Sequence, residues 1–227
     1  VSAKDLTAKS WLIADQDNVI LDGKNRDEVL SIASVTKVMT VIAVLRANQP
    51  LDQTFQYNRQ LRLTRQELIY LTLVHSDNHA ADMLCKNYTR SYAGCVADMN
   101  MYAREFGMNN TTYADASGLN AENTSTANDL LKLLNQAEQY PLIVSAAKQT
   151  KVEIQLRKKY LIFKNTNPLI GKTYEFIVSK TGTTHAAGGC IILTVKTDRG
   201  IRRVVVLGSQ NGHTRIPEAE FIIANMQ

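Results

Sequence analysis

Ser34-Val35-Thr36-Lys37 opens an apolar run in which Val38, Met39, Val41, Ile42, Val44 and Leu45 recur at three- and four-residue spacings. That spacing is one buried face of a helix, so the tetrapeptide reads as the first turn of a buried helix. Ser34 and Lys37 share a face of it, where their side chains can meet. A serine hydroxyl is a poor nucleophile until its proton is taken, and a lysine in a desolvated pocket can lose its charge and take it. The first helical turn also leaves backbone N–H groups free to face a developing oxyanion. A second S-x-x-K, Ser145 to Lys148, has neither the long apolar helix nor the strand pair in front of it.

Upstream, Ser10 to Ala14 and Asn18 to Leu21 read as two strands joined by the polar turn Asp15-Gln16-Asp17. Downstream, the helix runs from Thr36 to Asn48 and is stopped by Pro50. From there to about Ala147 the pattern is helical almost throughout. Helices are expected over Arg65 to Leu73, Ala80 to Tyr88 and Ser91 to Phe106, the last closed by Gly107. Thr126-x-x-Asp129 resembles a capping box ahead of Leu130, Leu131, Leu133 and Leu134. After Lys151 the period becomes that of strands: a hairpin over Val152 to Leu156 and Tyr160 to Phe163, then Tyr174 to Lys180, Gly189 to Thr197 and Arg202 to Gly208. A helix from about Pro217 to Met226 ends the pattern. Strands, helices, strands and a last helix predict an α+β chain, a sheet part at about 1–50 and 151–227 interrupted by a helical insertion at about 51–150. A cleft between the two is the natural place for a site.

The 227 residues and the apolar fraction of 44% suit one sizeable core. No run reaches the length of a transmembrane helix, and no charged-then-apolar signal segment opens the sequence, so an exported protein would be in its mature form here. The net charge of +5, clustered at Arg157-Lys158-Lys159 and at Arg199, Arg202 and Arg203, comes with no nucleic-acid-binding motif. It reads as a solvated basic face, one that also suits an anionic polymer such as a cell wall. Three cysteines cannot all pair: Cys85 and Cys95 are either bridged between helices or buried as free thiols, and Cys190 sits in an apolar strand as a core residue.

Two further stretches fall on the walls of the expected cleft: Ser76-Asp77-Asn78 between two helices, and Lys180-Thr181-Gly182-Thr183-Thr184 at the end of a strand. S-x-x-K, S-D-N and K-T-G in this order form the motif set of penicillin-binding proteins and class A β-lactamases. The segments SVTKVMT, LVHSDNHAA, FGMNNTTYADASGLNAENTSTANDL, FKNTNPL and SKTGTTHAAGGC resemble low-molecular-mass penicillin-binding proteins, in particular the D-alanyl-D-alanine endopeptidases of the penicillin-binding protein seven type. The similarity runs from about Trp11 to beyond Val195 and departs from that group at Asp77, where glutamate is common, and at Thr183, where an aromatic is common.

The resemblance implies a five-stranded antiparallel sheet flanked by helices, and a serine DD-peptidase that works through an acyl-serine without a cofactor. In that chemistry Ser34 attacks the carbonyl of the penultimate D-alanine and neutral Lys37 is its base. Ser76, near both Lys37 and Lys180, relays a proton to the leaving amine, and Asn78 bonds the substrate amide. Lys180, Thr181 and Thr183 receive the substrate carboxylate, Gly182 lets the strand come close, and the N–H groups of Ser34 and Thr183 form the oxyanion hole. The implied partners are peptidoglycan muropeptides and β-lactams that acylate Ser34, and the implied location is the periplasm. The favoured activity is endopeptidase on cross-links, with carboxypeptidase, β-lactamase or a β-lactam sensor as alternatives. A β-lactamase needs a deacylating glutamate, and Glu105-x-x-x-Asn109 has the spacing but falls at a helix end. His75 and His79 have a zinc-like spacing without a third ligand, and His185 reads as a surface-loop residue. Arg202 and Arg203 read either as solvated strand-edge residues or as contacts to a wall carboxylate.

Overall fold

The computed structural model describes residues 5–227, so the first four positions of the expected domain range lie outside it. In chain order the elements are β1 (Ser10–Asp15), β2 (Ile20–Lys24), β3 (Leu30–Ser31), a 3₁₀ turn (Ala33–Val35), α1 (Thr36–Arg46), β4 (Thr54–Gln56), β5 (Arg62–Thr64), α2 (Arg65–Val74), α3 (Asn78–Lys86) and α4 (Ser91–Glu105). There follow β6 (Thr124–Ser125), α5 (Ala127–Ala137), α6 (Pro141–Ala147), β7 (Lys151–Leu156), β8 (Lys159–Lys164), β9 (Glu175–Thr184), β10 (Gly188–Thr197), β11 (Gly200–Ser209) and α7 (Arg215–Asn225).

The period-two pattern of the long strands decides how the sheet is covered. The main sheet has the order β2-β1-β11-β10-β9, and every neighbouring pair is antiparallel. Trp11 and Ile13 of β1, Ile191 and Leu193 of β10, and Val204 and Val206 of β11 point to one face, where Ala219, Ile222 and Ile223 of α7 cover them. The alternate residues Leu12, Ala14, Ile192, Val205 and Leu207 point the other way, into the larger core that holds α1 and α5. Both faces are covered, so β1, β10 and β11 read as nearly continuous apolar runs. β9 is an edge strand, and its free side is left to the cleft.

α1 is enclosed by α2, α3, α4 and α5, which is why every residue from Thr36 to Val44 is buried. Its Val38, Val41, Ile42 and Val44 contribute about 1.5–3 kcal/mol each relative to exposure, enough to hold the polar Lys37 and Thr40 in the same dry helix. Local signals set the other helices. Thr64 and Glu67 form a reciprocal capping box at α2. At α5, Thr126 accepts from the Asp129 N–H at 3.0 Å. The Asp129 carboxylate turns away to accept from the Asn110 N–H and the Thr111 hydroxyl, so half of the expected box forms. Gly107 follows α4 at φ +76°, a conformation that a terminating glycine adopts at little cost.

One expectation is refined, one is corrected and one open choice is decided. The helical insertion between 51 and 150 is present, with two short strand pairs beside its helices: β4 pairs with β5, and β6 pairs back to β3 through Leu30↔Ser125 and Ser31↔Thr124. Strands of two and three residues are too short to print a period. Arg202 and Arg203 are not solvated strand-edge residues, since β11 lies inside the sheet and both are buried. Arg203 forks onto Glu138 at 2.9 and 3.0 Å and donates to the carbonyls of Asp15 and Gln16, locking the end of α5 to the β1–β2 turn. Nor does it reach the cleft. For the cysteines the structure decides between the two readings: Cys85 and Cys95 are bridged, tying α3 to α4, and Cys190 is a buried free thiol in β10.

Removing one partner of a buried pair leaves the other charge without compensation. Arg203→Ala is expected to lower the unfolding free energy by about 3 kcal/mol, read from the urea midpoint. A change below about 0.5 kcal/mol would show that water replaces the guanidinium without loss.

Candidate active site

Four separate segments meet in front of the β9 edge. The 3₁₀ turn presents Ser34, with Ala33 before it at φ 50°, and α1 carries Lys37 one turn on. The α2–α3 junction presents Ser76, held at φ 58°, and Asn78 at the start of α3, where the Asp77 side chain caps by accepting from the Ala80 N–H. A non-glycine residue in that left-handed region costs of order 1–3 kcal/mol and persists only where its surroundings determine it. β9 supplies Lys180, Thr181, Gly182 and Thr183. The fourth segment, the loop at Asp115–Gly118, carries no motif that the sequence reading assigned to the site.

Lys37 Nζ is fully buried and has three oxygen neighbours: Ser34 Oγ at 2.5 Å, Asn78 Oδ1 at 2.8 Å and the Ser117 carbonyl at 2.9 Å. Two of these can only accept. A neutral amine has two N–H groups and one lone pair, so it can give its protons to Asn78 and Ser117 and turn the lone pair to the hydroxyl of Ser34. Burial lowers the Lys37 pKa to about 8, outweighing Asp77, Asp115 and Asp82, which pull it back up. The amine is thus within reach of neutrality near neutral pH.

Lys180 is also fully buried and donates to Ser76 Oγ at 2.8 Å and to the Thr181 carbonyl at 2.7 Å. Its pKa is held well below the usual lysine range, first by burial and then by the facing cations Lys37 and Arg215. Ser76 is therefore brought to Lys180, and it is not among the three neighbours of Lys37 Nζ. The Thr181 hydroxyl, buried, shares a hydrogen bond with Thr166 at 2.5 Å, whereas Thr183 is exposed at the cleft.

Two glycines make the closeness possible. A Cβ on Gly182 would lie 2.8 Å from the Ser34 nitrogen, and one on Gly118 would lie 2.0 Å from the Ala33 carbonyl oxygen. The main chain of the 3₁₀ turn that carries Ser34 is thus clamped between β9 and the Asp115–Gly118 loop. That loop is itself fixed. Thr40 donates to the Ala116 carbonyl at 2.7 Å, and the Tyr92 hydroxyl accepts from the Ala116 N–H at 3.1 Å while donating to Asp82 at 3.0 Å. Behind β9, Arg215 donates to the Gly182 carbonyl at 2.6 Å. Ser117, Gly118, Thr166 and Arg215 escaped the reading from sequence. Ser117, Gly118 and Thr166 lie in stretches that carry the resemblance but were given no role there, since Ser117 and Gly118 act through their main chain, and Arg215 lies outside those stretches.

The remaining candidates have other partners. His75 Nδ1 bonds the Lys164 carbonyl at 2.9 Å, and His79 Nε2 bonds the Tyr57 carbonyl at 2.8 Å. Ser145 is a partner of Tyr70, and Lys148 of Glu175. Glu105 pairs with Arg46 at the far end of α1, about 13 Å along the helix from Lys37. Among the described residues no helix is long and apolar enough to cross a membrane.

A helix-borne serine beside a buried, depressed-pKa lysine, with a serine–lysine pair opposite and an open strand edge alongside, defines an active-serine acyl-transfer enzyme. Comparison with known proteins narrows the class. A family model described as D-alanyl-D-alanine carboxypeptidase (peptidase family S11) matches residues 1–60 and 52–211. The chain is 34% identical over 235 residues to the D-alanyl-D-alanine endopeptidase of Pseudomonas aeruginosa, covering 95% of this chain and 76% of that protein. It is 31% identical over 237 residues to the D-alanyl-D-alanine endopeptidase of Escherichia coli, covering 96% and 76%. Penicillin-binding protein D2 from Listeria monocytogenes, solved with cefotaxime bound, superposes with a TM-score of 0.87 at 25% identity over 96% of each chain. The Streptomyces K15 DD-transpeptidase shares the fold, with a TM-score of 0.89 at 24% identity over 99% of this chain and 98% of that one. The chain belongs to the D-alanyl-D-alanine carboxypeptidase and endopeptidase family of penicillin-binding serine DD-peptidases.

Two outcomes follow. If the neutral Lys37 amine takes the serine proton, the protonated form is inert. The second-order rate of acylation by a fluorescent penicillin should then rise with pH and level off above about 8. A flat profile from pH 6 to pH 10 would contradict this. Gly182→Ala forces the Ser34 main chain and β9 apart, and the same rate should fall by about 10²-fold.

Proposed function

We propose that this chain is a serine DD-endopeptidase that cleaves D-alanyl cross-links of peptidoglycan. The observation that carries the acyl-serine chemistry is the 2.5 Å contact between the buried Lys37 amine and Ser34 Oγ. The names of the Pseudomonas aeruginosa and Escherichia coli relatives support endopeptidase over carboxypeptidase.

In this reading the Ser34 oxygen attacks the penultimate D-alanyl carbonyl carbon as its proton passes to Lys37. The developing oxyanion meets the N–H groups of Ser34 and Thr183, which are fixed before reaction and need no reorganisation. Collapse expels the amine of the neighbouring stem. Ser76 hands that amine its proton and is reprotonated by the Lys180 ammonium bonded to it. Water then attacks the acyl carbon, its proton going to Lys180 as Lys37 returns the first proton to the Ser34 oxygen. The Asn78 side-chain amide, exposed at the start of α3, bonds the substrate amide. The substrate carboxylate supplies a counter-charge to buried Lys180, which faces the cations Lys37 and Arg215, so binding and protonation of Lys180 reinforce each other. Of the two threonines, Thr183 suits that carboxylate better, because the Thr181 hydroxyl is engaged by Thr166. β-Lactams enter the same pathway as covalent inhibitors at Ser34.

The whole range 1–227 is read as one domain, supported by a single large core that joins sheet residues such as Val205 to Leu84 and Met99 of the insertion. The location is read as the periplasm. The substrate lies outside the cytoplasm, and the Cys85–Cys95 bridge suits an oxidising compartment.

Digestion of purified cross-linked muropeptide dimers should yield monomers, and Ser34→Ala should abolish both this and covalent penicillin labelling. Release of free D-alanine alone would turn the assignment to carboxypeptidase, and labelling of the Ser34→Ala protein would refute the nucleophile.

A further inference from the structure

The β7–β8 hairpin stands apart from the main sheet and takes no part in the chemistry described above. Its inner face is accounted for: Val152 and Ile154 are buried in the core and pack toward α2. Its outer face is not. Tyr160 and Ile162 are 59% and 55% exposed, beside Lys151, Lys159 and Lys164. At the tip, Arg157, Lys158 and Lys159 are all exposed, and none of the three forms a salt bridge among the described residues. Between residues 151 and 164 there are five basic residues and one acidic residue, so this hairpin alone carries most of the formal excess of +5. A groove of about 460 Å³ separates its tip from Gln60 in the β4–β5 turn, with Leu156 as its apolar lining.

The position of the hairpin matters as much as its charge. Its base is stitched to the walls of the active site. The Lys164 carbonyl bonds His75, the neighbour of Ser76; the Thr166 N–H donates to the Val74 carbonyl at 3.1 Å; and the Thr166 hydroxyl bonds Thr181, the neighbour of Lys180. Six-residue strands then carry the cationic tip about 20 Å from that rim. Like charges concentrated on a two-stranded ribbon repel one another and weaken the fold, so an opposite charge that settles on them recovers that energy.

We infer that the outer face and tip of the β7–β8 hairpin form a second binding site, which holds a carboxylate-bearing peptide strand of the wall polymer while a neighbouring strand occupies the cleft. This rests on the DD-peptidase reading for its choice of polymer. The arginine and lysines meet the free carboxylates of uncleaved stems, and Tyr160 and Ile162 offer apolar surface to the methyl groups and sugar faces between them. The site acts on the insoluble polymer and is idle on a small soluble substrate that the cleft holds by itself.

The test is co-sedimentation of the Ser34→Ala protein with purified sacculi, with and without Arg157→Gln, Lys158→Gln and Lys159→Gln together. Exposed charge contacts are individually weak and salt-screened, so retention should fall with salt, and the triple exchange should lower it roughly tenfold. Lys158→Glu alone, at the exposed turn, should move retention the same way. Sacculi whose carboxylates have been amidated should release the protein. In the Ser34 background the triple exchange should slow digestion of sacculi while leaving penicillin acylation and cleavage of soluble dimers unchanged. Equal retention of both proteins, undiminished binding to amidated sacculi, or a triple exchange that weakens binding to phosphatidylglycerol vesicles and leaves sacculi retention intact would each overturn the inference. Failure to cut soluble dimers at all would count against the peptidase reading, while sedimentation of the Ser34→Ala protein would still decide the second site.

Discussion

A lysine amine in a dry pocket, facing two obligate acceptors and one hydroxyl, is the constraint to which the rest of the structure is fitted. Lys37 can sit there because α1 is buried on all sides, and α1 can be buried because four helices and the apolar face of the sheet surround it. Taking a lysine out of water is costly, and the apolar residues of the same helix offset that cost. The amine in turn fixes three otherwise independent segments: the nucleophile turn through Ser34, the start of α3 through Asn78, and the Asp115–Gly118 loop through the Ser117 carbonyl. Asp77, Asp115 and Asp82 temper the depression of its pKa, so the group rests near 8.

The opposite wall has a different electrostatic character. Lys180 faces cations, the Ser76 hydroxyl and main-chain oxygen rather than carboxylates, and burial with those cations holds its pKa well below the usual lysine range. The two lysines are therefore not equivalent: one touches Ser34 Oγ within reach of carboxylates, the other touches Ser76 Oγ and faces cations. Edge strand β9 brings the second within reach of the first only because Gly182 has no side chain to hold the Ser34 main chain away.

Much of this was legible in the sequence wherever a side chain carries the role. The apolar spacing after Ser34 announces α1, the nearly continuous apolar runs in 189–197 and 202–208 announce β10 and β11, and the S-D-N stretch lies at the expected junction of two helices, while K-T-G lies inside β9, which runs on to Thr184. Features carried by the main chain were not legible. The Ser117 carbonyl and the missing Cβ of Gly118 have no signature in a one-dimensional pattern, and strands as short as β3 and β6 have no period. Arg202 and Arg203 were misread for a related reason. A charged pair at the end of a strand looks solvated until the sheet order places β11 between β1 and β10 and brings Glu138 over it. The bridge between Cys85 and Cys95 depended on how α3 and α4 meet, which spacing left open.

Burial of Lys37 is the claim on which the chemistry turns, and it can be read without any substrate. Titration of the Lys37 side chain by NMR, assigned through a Lys37→Arg comparison and followed at the carbon next to Nζ, reports its protonation in the resting protein. A midpoint near 8 is expected. A midpoint at the ordinary lysine value of about 10.4 would mean that the pocket does not prepare the amine as a base, and the role given to Lys37 would fall.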